Sequence, residues 1–280
     1  MKKMKKKYPS KILIILLYIV LSIGALIMIA PFLWMFSTSL KSISEVFTWP
    51  PAIFGKVLRW DNYLKISERY PFGRFFINSA IVSFIVVVTQ LFTSSLGGYV
   101  FARLKFRFRE ILFVVYLATM MVPVHVTLVP LFIIMRYLGQ IDKLSSLILP
   151  NLATAFGTFL MRQFFLTIPT GLEDAAKIDG CTPFGIYWKI FLPLSKPALA
   201  ALGVFIFVGI WNDFLRPLVF INKINNMTLP LGLANMQGMY STNWPVLMAG
   251  TFISLLPIII AFLLAQDLFV KGVTLSGIKE

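Results

Sequence analysis

The sequence predicts an all-α integral membrane protein with six transmembrane helices, and three observations carry that prediction. Only 13% of its 280 residues are charged while 58% are hydrophobic, and the mean hydropathy is +0.84. A soluble domain carries about 25% charged residues, so this chain has roughly half the charge needed to cover a water-facing surface. The apolar residues also fall into runs long enough to cross a bilayer core, which takes about 20 of them. Finally, the net charge of +15 comes with basic segments that flank those runs, as cytoplasmic loops of membrane proteins do. In a chain this apolar the basic excess points to a membrane rather than to nucleic acid. An aromatic content of 15% is the opposite of a disordered composition. The single cysteine forbids an intrachain disulfide, and the single histidine leaves almost no room for a histidine-based metal site.

Taken in order, residues 1–11 form a basic cytoplasmic head containing Lys2, Lys3, Lys5, Lys6, Lys7 and Lys11. The first span follows at about 12–36. A cleavable signal peptide has an apolar region of only about 7–15 residues, so this longer run is predicted to stay as a membrane helix with its N-terminus inside. A polar segment, Ser37–Arg74, carries Trp49-Pro50-Pro51 on the outer side. The second span, 75–102, ends at Arg103, Lys105, Arg107 and Arg109. The third, 111–135, is interrupted by Pro123 and Pro130; the fourth covers 144–165, the fifth 197–220, and the sixth 244–268 with Pro257 inside it. Together they make one permease domain over 12–270, followed by a cytoplasmic tail, 271–280. With both termini inside, Lys and Arg are commoner in the inner segments than in the outer ones. Proline within a span frees carbonyls that neighbouring helices or a water-lined cavity must satisfy. The pairs Ser94/Gly98 and Ala153/Gly157 have the small-xxx-small spacing that lets helices approach closely.

The longest inner loop, 166–196, has the most informative local pattern. Thr170 and Glu173 stand at capping-box spacing, which predicts a helix beginning after Thr170. Asp179-Gly180 is a stop signal, with glycine taking the left-handed conformation. Thr182 then caps a second helix with Pro183 at its favoured first position. Phe184, Tyr187/Trp188 and Phe191 recur at helical spacing and predict one apolar stripe. A helix of about two turns is marginal alone, and Ala175 and Ala176 leave room for another protein surface. The pattern reads as a docking helix-turn-helix; a DNA-binding one fits poorly between two membrane spans.

This loop resembles the E-A-A loop of the permease subunits of binding-protein-dependent ABC importers. The match runs through Ala175-Ala176, Gly180, Ile190 and the closing Pro193, with Asp174 where the family has glutamate (preceded by Glu173) and Cys181 where the carbohydrate branch has alanine. Pro31-Phe32-Leu33-Trp34, Trp211-Asn212-Asp213-Phe214, Thr228-Leu229-Pro230 and the tail from Phe269 to Lys279 are similar to the smaller permease subunit of maltose-type sugar transporters. The resemblance implies a prokaryotic plasma or inner membrane location and the import of a sugar or oligosaccharide. It also implies four kinds of partner: a second, homologous permease in a heterodimer, two cytoplasmic ATPase subunits, an extracellular or periplasmic solute-binding protein, and membrane lipid. The coupling residues it implies are Glu173, Asp174, Ala175, Ala176, Asp179, Gly180, Ile190 and Pro193. No phosphate-binding G-x-x-x-x-G-K-[ST] loop occurs in the chain, so ATP and Mg would be used by the partner ATPase. The chain itself is expected to be no enzyme and to bind no cofactor or metal.

Polar residues inside spans usually face a bundle interior or a cavity, which makes Asn151, Asn212 and Asp213 candidates for the sugar path. Asp213 and Arg216, three apart, are placed to form an ion pair. His125, beside Pro123, is expected to bond a proline-freed carbonyl. Two other functions remain open at this point: import of a non-sugar solute such as a phosphate ester, and secondary transport driven by an ion gradient.

Overall fold

The computed structural model describes residues 11–238 and 242–276, with side chains through Gln266, and every regular element among them is helical. The basic head over residues 1–10 and the end of the tail, 277–280, lie outside the described residues. The chain divides into two compact units, residues 1–69 with 237–253 and residues 70–236 with 254–280.

In the first unit, helix α1, Lys11–Ser39, exposes its apolar side chains along almost its whole length and buries only Ser37, Thr38 and Ser39. A helix this apolar on every side, exposed over most of its length, has the character of a membrane span. The polar segment after it folds onto its end. Asn62 donates to the carbonyls of Ser39 and Lys41 at 2.8 and 3.0 Å, Ser37 to that of Ile53, and Lys41 to that of Ala52 at 2.6 Å. The Lys41 ammonium lies 4.4 Å from the Trp34 ring centre. Two short helices, α2 (Ile43–Val46) and α3 (Asn62–Arg69), complete this segment. Glu45 ties it together by accepting from the Ser42 N–H and hydroxyl and from the Lys56 N–H, all at 2.8–2.9 Å. These bonds hold its carboxyl down at about 2.

The second unit is organised around α4, Phe72–Arg103, which packs along α8 (Ala155–Leu166) and α12 (Lys196–Trp211). The predicted small-residue contacts are real. A Cβ on Gly98 would stand 2.6 Å from the Met161 Cβ and 2.9 Å from the Arg162 backbone nitrogen, and one on Gly157 would stand 2.2 Å from the Ser94 oxygen. Polar side chains finish the seam. Gln90 Nε2 donates to the Asn151 carbonyl at 2.7 Å and Thr93 Oγ1 to that of Leu152 at 2.9 Å.

Those two bonds explain the main departure from the predicted spans. The run 144–165 is not one helix: α7 (Ser145–Ile148) passes through a tight 3₁₀ turn at Leu149–Asn151, the chain breaks at 152–154, and α8 then begins. Pro150 removes a backbone donor, and Asn151 turns its amide back to the Leu147 carbonyl at 2.7 Å. The carbonyls freed by the break are taken by α4. The third run is likewise bent, by 96°, between α5 (Arg109–Ala118) with its 3₁₀ end Thr119–Met121 and α6 (Val124–Tyr137). The fifth stops at Trp211 and resumes as α13, Leu215–Phe220. Among the described residues three helices are long and apolar enough to cross a membrane: α1, α4 and the stretch Trp244–Gln266. Counting each bent helix pair as one span raises the number to five.

Candidate coupling site and transport cavity

Helix α9, Thr170–Ile178, starts one residue earlier than predicted, behind Pro169, and the Thr170/Glu173 capping box does not form. Glu173 is buried and turns to cations instead. Its carboxylate lies 2.8 Å from the Lys177 ammonium, which it holds above its ordinary pKa, and 3.9 Å from the Arg103 guanidinium. Arg103 sits at the end of α4 with its side chain only 6% exposed. Its Nη2 donates to the carbonyl of Phe165 at 2.5 Å and to that of Ile168, which cap the end of α8, and its guanidinium lies 5.0 Å from the Phe191 ring centre. One side chain thus joins α4, α8 and α9. The sequence offered Arg103 only as part of a basic run, because nothing in a sequence pattern tells a buried guanidinium from a solvated one.

The turn after α9 forms as predicted. Gly180 has φ +79°, its N–H donates to the Lys177 carbonyl at 3.0 Å, and the Cys181 N–H donates to that of Ala176 at 2.9 Å. That bond pair is a Schellman motif, which closes a helix through a left-handed residue. Thr182 caps the next helix, accepting from the Gly185 N–H at 3.2 Å, with Pro183 at the first position of α10 (Pro183–Ile186). The single apolar stripe, however, is split. Tyr187–Phe191 winds as a π-turn before α11, Leu192–Leu194, because Pro193 has no N–H to offer the Lys189 carbonyl. Tyr187 and Phe191 are buried with Tyr99 and Phe165, whereas Phe184 and Trp188 stack at 6.3 Å and stay exposed. They add to the exposed apolar residues Leu172 and Ile178 of α9, the latter 87% exposed. Asp174, Ala175, Asp179, Gly180 and Pro193 are exposed, Ala176 is buried and Ile190 half-buried. Apolar surface of this kind, rimmed by charge, marks a protein-binding face.

Behind this face lies a cavity of 660 Å³ lined by Arg103, Lys105, Arg109, Glu173, Asp174 and Lys177 among others. Two smaller cavities share Arg216, and the larger of them reaches α4 at Gln90. The larger, 330 Å³, is lined by Gln90, Thr154, Phe156, Phe205, Gly209 and Arg216 among others; the smaller, 150 Å³, by His125, Asp213 and Arg216 among others. The predicted Asp213–Arg216 ion pair forms at 3.1 Å and stands in the wall of the smaller cavity. Asn151 and Asn212 line neither: Asn151 is spent on the bend before α8, and Asn212 is exposed and donates to the Val208 carbonyl at 3.0 Å. His125, expected to bond a carbonyl freed by Pro123, is exposed at the second position of α6 beyond the 96° bend, stands in the smaller cavity's wall, and makes no such bond among the described residues.

The family of binding-protein-dependent transport system inner membrane components matches residues 94–275, which takes in α8, the turn between α9 and α10, the lining of the smaller cavity, and every lining residue of the larger one except Gln90. This chain belongs to that family. It is 36% identical to the arabinooligosaccharides transport system permease protein AraQ of Halalkalibacterium halodurans over 98% of this chain and 99% of that one. It is 33% identical to the sn-glycerol-3-phosphate transport system permease protein UgpE of Yersinia pestis over 91% and 94% of the two chains. Its fold matches a chain from the crystal structure of a bacterial ABC transporter that imports the acidic polysaccharide alginate, with a TM-score of 0.82 over 94% of this chain and all of that one, at 24% identity. The chain is therefore an all-helical, membrane-embedded transport permease, and its relatives are permease subunits rather than enzymes.

Proposed function

We propose that this permease forms half of the translocation path of an ATP-driven importer for a sugar or oligosaccharide. The observation that carries the reading is the coupling segment: a short helix closed at Gly180, exposing Leu172, Ala175 and Ile178 beside Phe184 and Trp188, and tied through Glu173 and Arg103 to α4 and α8. A rigid-body push on α9 by a cytoplasmic ATPase would pass through this buried charge contact into the helices that line the cavities. Glu173, Asp174, Ala175, Ala176, Asp179, Gly180, Ile190 and Pro193 serve as the coupling residues, and Asp213 faces the path. The partners are a second permease in a heterodimer, two ATPase subunits that use ATP and Mg, and an extracellular or periplasmic solute-binding protein. The membrane arrangement is six spans in a prokaryotic plasma or inner membrane, with both termini and the α9 loop cytoplasmic; the broken run 144–165 counts as a span because α4 satisfies its backbone. The similarity to AraQ over almost the whole of both chains supports a sugar cargo, while UgpE, similar over a slightly smaller share, keeps a phosphate ester as the second reading.

Purification of the complex from native membranes, followed by identification of the co-purifying binding protein and its ligand, tests the reading. A sugar-loaded binding protein with ATPase subunits is the expected result. A chain isolated without ATPase subunits, or with a binding protein loaded with a phosphate ester, would overturn it.

A further inference from the structure

The two small cavities share one wall residue, Arg216, and both adjoin breaks in the helices. The chain leaves helical geometry at 152–154 before α8 and at 212–214 after α12. Broken backbone at membrane depth persists only where protein buries it or a polar cavity solvates it. Gln90, on the larger cavity's wall, lies near the middle of α4, so this cavity sits deep within the membrane.

Its lining has a particular chemistry. Arg216 offers five donors, of which Nη1 goes to Asp213 at 3.1 Å, while its Nε is buried and has no partner among the described residues. Gln90 Nε2 donates to the Asn151 carbonyl, and its side-chain oxygen Oε1 has no hydrogen bond among the described residues. Phe156 and Phe205 meet edge to face at 6.5 Å on the same wall. Unspent donors and acceptors beside aromatic rings suit a polyhydroxylated ring, whose hydroxyls both donate and accept and whose C–H face packs on aromatic carbon. The charge decides between sugar classes. Asp213 cancels the Arg216 cation, and the other residues of the larger cavity's wall are uncharged. A carboxylate or phosphate entering here would lose its water and meet no net positive charge, which is costly in a low-dielectric site.

We propose that the cavity bounded by Gln90, Phe156, Phe205, Gly209 and Arg216, whose charge Asp213 balances from the wall of the smaller cavity beside it, is a cargo site, and that it selects a neutral oligosaccharide over an acidic sugar or a phosphate ester. The inference rests on the sugar-importer reading and names the class of cargo within it. Gly209 gives a probe that leaves the charges alone, because it stands in the cavity wall and a Cβ there meets nothing within 4 Å.

The test uses the assembled complex in detergent and measures equilibrium dialysis of labelled arabinotriose, digalacturonate and glycerol 3-phosphate, with ATP-driven arabinotriose uptake in liposomes run in parallel. The wild type should bind arabinotriose at least tenfold more tightly than either anion. Arg216→Gln and Gly209→Leu should each weaken arabinotriose binding tenfold or more, and Asp213→Asn should raise digalacturonate binding by freeing the guanidinium. Yields of assembled complex show whether a variant has failed to fold, and the conservative Arg216→Lys should retain part of the binding. Anion binding by the wild type as tight as that of arabinotriose would overturn the proposal. So would wild-type affinity in both Arg216→Gln and Gly209→Leu while uptake proceeds. Absence of arabinotriose uptake by the wild type would instead remove the sugar reading, and this inference with it.

Discussion

Replacing Gly180 isolates the contribution of one backbone conformation to coupling. Its φ of +79° lies in the left-handed region, and a Cβ built there meets nothing within 4 Å. A substitution therefore meets no steric clash, and its whole cost is conformational. For an ordinary residue that cost is about 1–2 kcal/mol, more for a β-branched one and less for asparagine, which tolerates this region. Since 1–2 kcal/mol is a factor of about 5–30 in an equilibrium, Gly180→Ala should populate the closed turn several-fold less and Gly180→Val less again. The alternative conformation breaks the Gly180–Lys177 and Cys181–Ala176 bonds and lets α9 swing relative to α10. Uptake by the reconstituted complex and co-purification of the ATPase subunits should then fall in the order Gly, Asn, Ala, Val, with membrane insertion unchanged. A flat series, or a Val variant that couples as well as the wild type, would refute the reasoning and leave the turn a mere connector.

Three other outcomes follow from the packing and the charges. Arg103→Ala removes the guanidinium that donates to the Phe165 and Ile168 carbonyls, while Glu173 keeps the Lys177 ammonium at 2.8 Å; a hydrogen bond from a charged donor contributes about 1.5–3 kcal/mol, so the melting temperature of the detergent-purified protein should drop clearly, and by less for Glu173→Gln, which leaves the carbonyl bonds intact. Gly98→Leu drives a side chain into Met161 and the Arg162 backbone; overpacking costs about 1–3 kcal/mol or more, and cysteine pairs placed along the α4–α8 seam should crosslink less efficiently. Glu45 is held at about 2, below its usual carboxylate value of 4.5; a depressed folded pKa means that its contribution is complete above 4.5 and disappears as the pH falls towards 2, so protease resistance of the 37–70 segment should weaken over that window, and Glu45→Gln should remove that dependence.

The sequence made some elements readable because their cause is local. Thr182-Pro183 and Asp179-Gly180 specify cap and turn within a few residues, and both form as predicted. Gly98 and Gly157 announced a close helix approach by spacing alone, and α4 and α8 meet there. The misses have non-local causes. The run 144–165 has the composition of a span, but Gln90 and Thr93, some sixty residues away, donate to its freed carbonyls and so permit the break. Glu173 had the spacing of a capping residue, and a partner from α4 drew it into a buried charge contact instead. Periodicity placed Phe184, Tyr187, Trp188 and Phe191 on one stripe by assuming an α-helical period, which the π-turn ahead of Pro193 alters. In the cavity, Asp213 and Arg216 were legible as a pair three residues apart, whereas the role of Arg216 as the wall between two cavities depends on α4, α6 and α12 coming together.

Reconstitution tests the central claim, that this chain moves cargo only when ATP is hydrolysed by partners docked at the α9 turn. Purified chain alone, chain with its partner permease, and the full complex with binding protein would each be placed in liposomes and assayed for labelled sugar uptake, with enclosed ATP, without ATP, and under an imposed proton or sodium gradient. Uptake is predicted only for the full complex with ATP and binding protein, and it should disappear with Gly180→Val. Gradient-driven uptake by the chain alone would contradict the account and make it a secondary transporter.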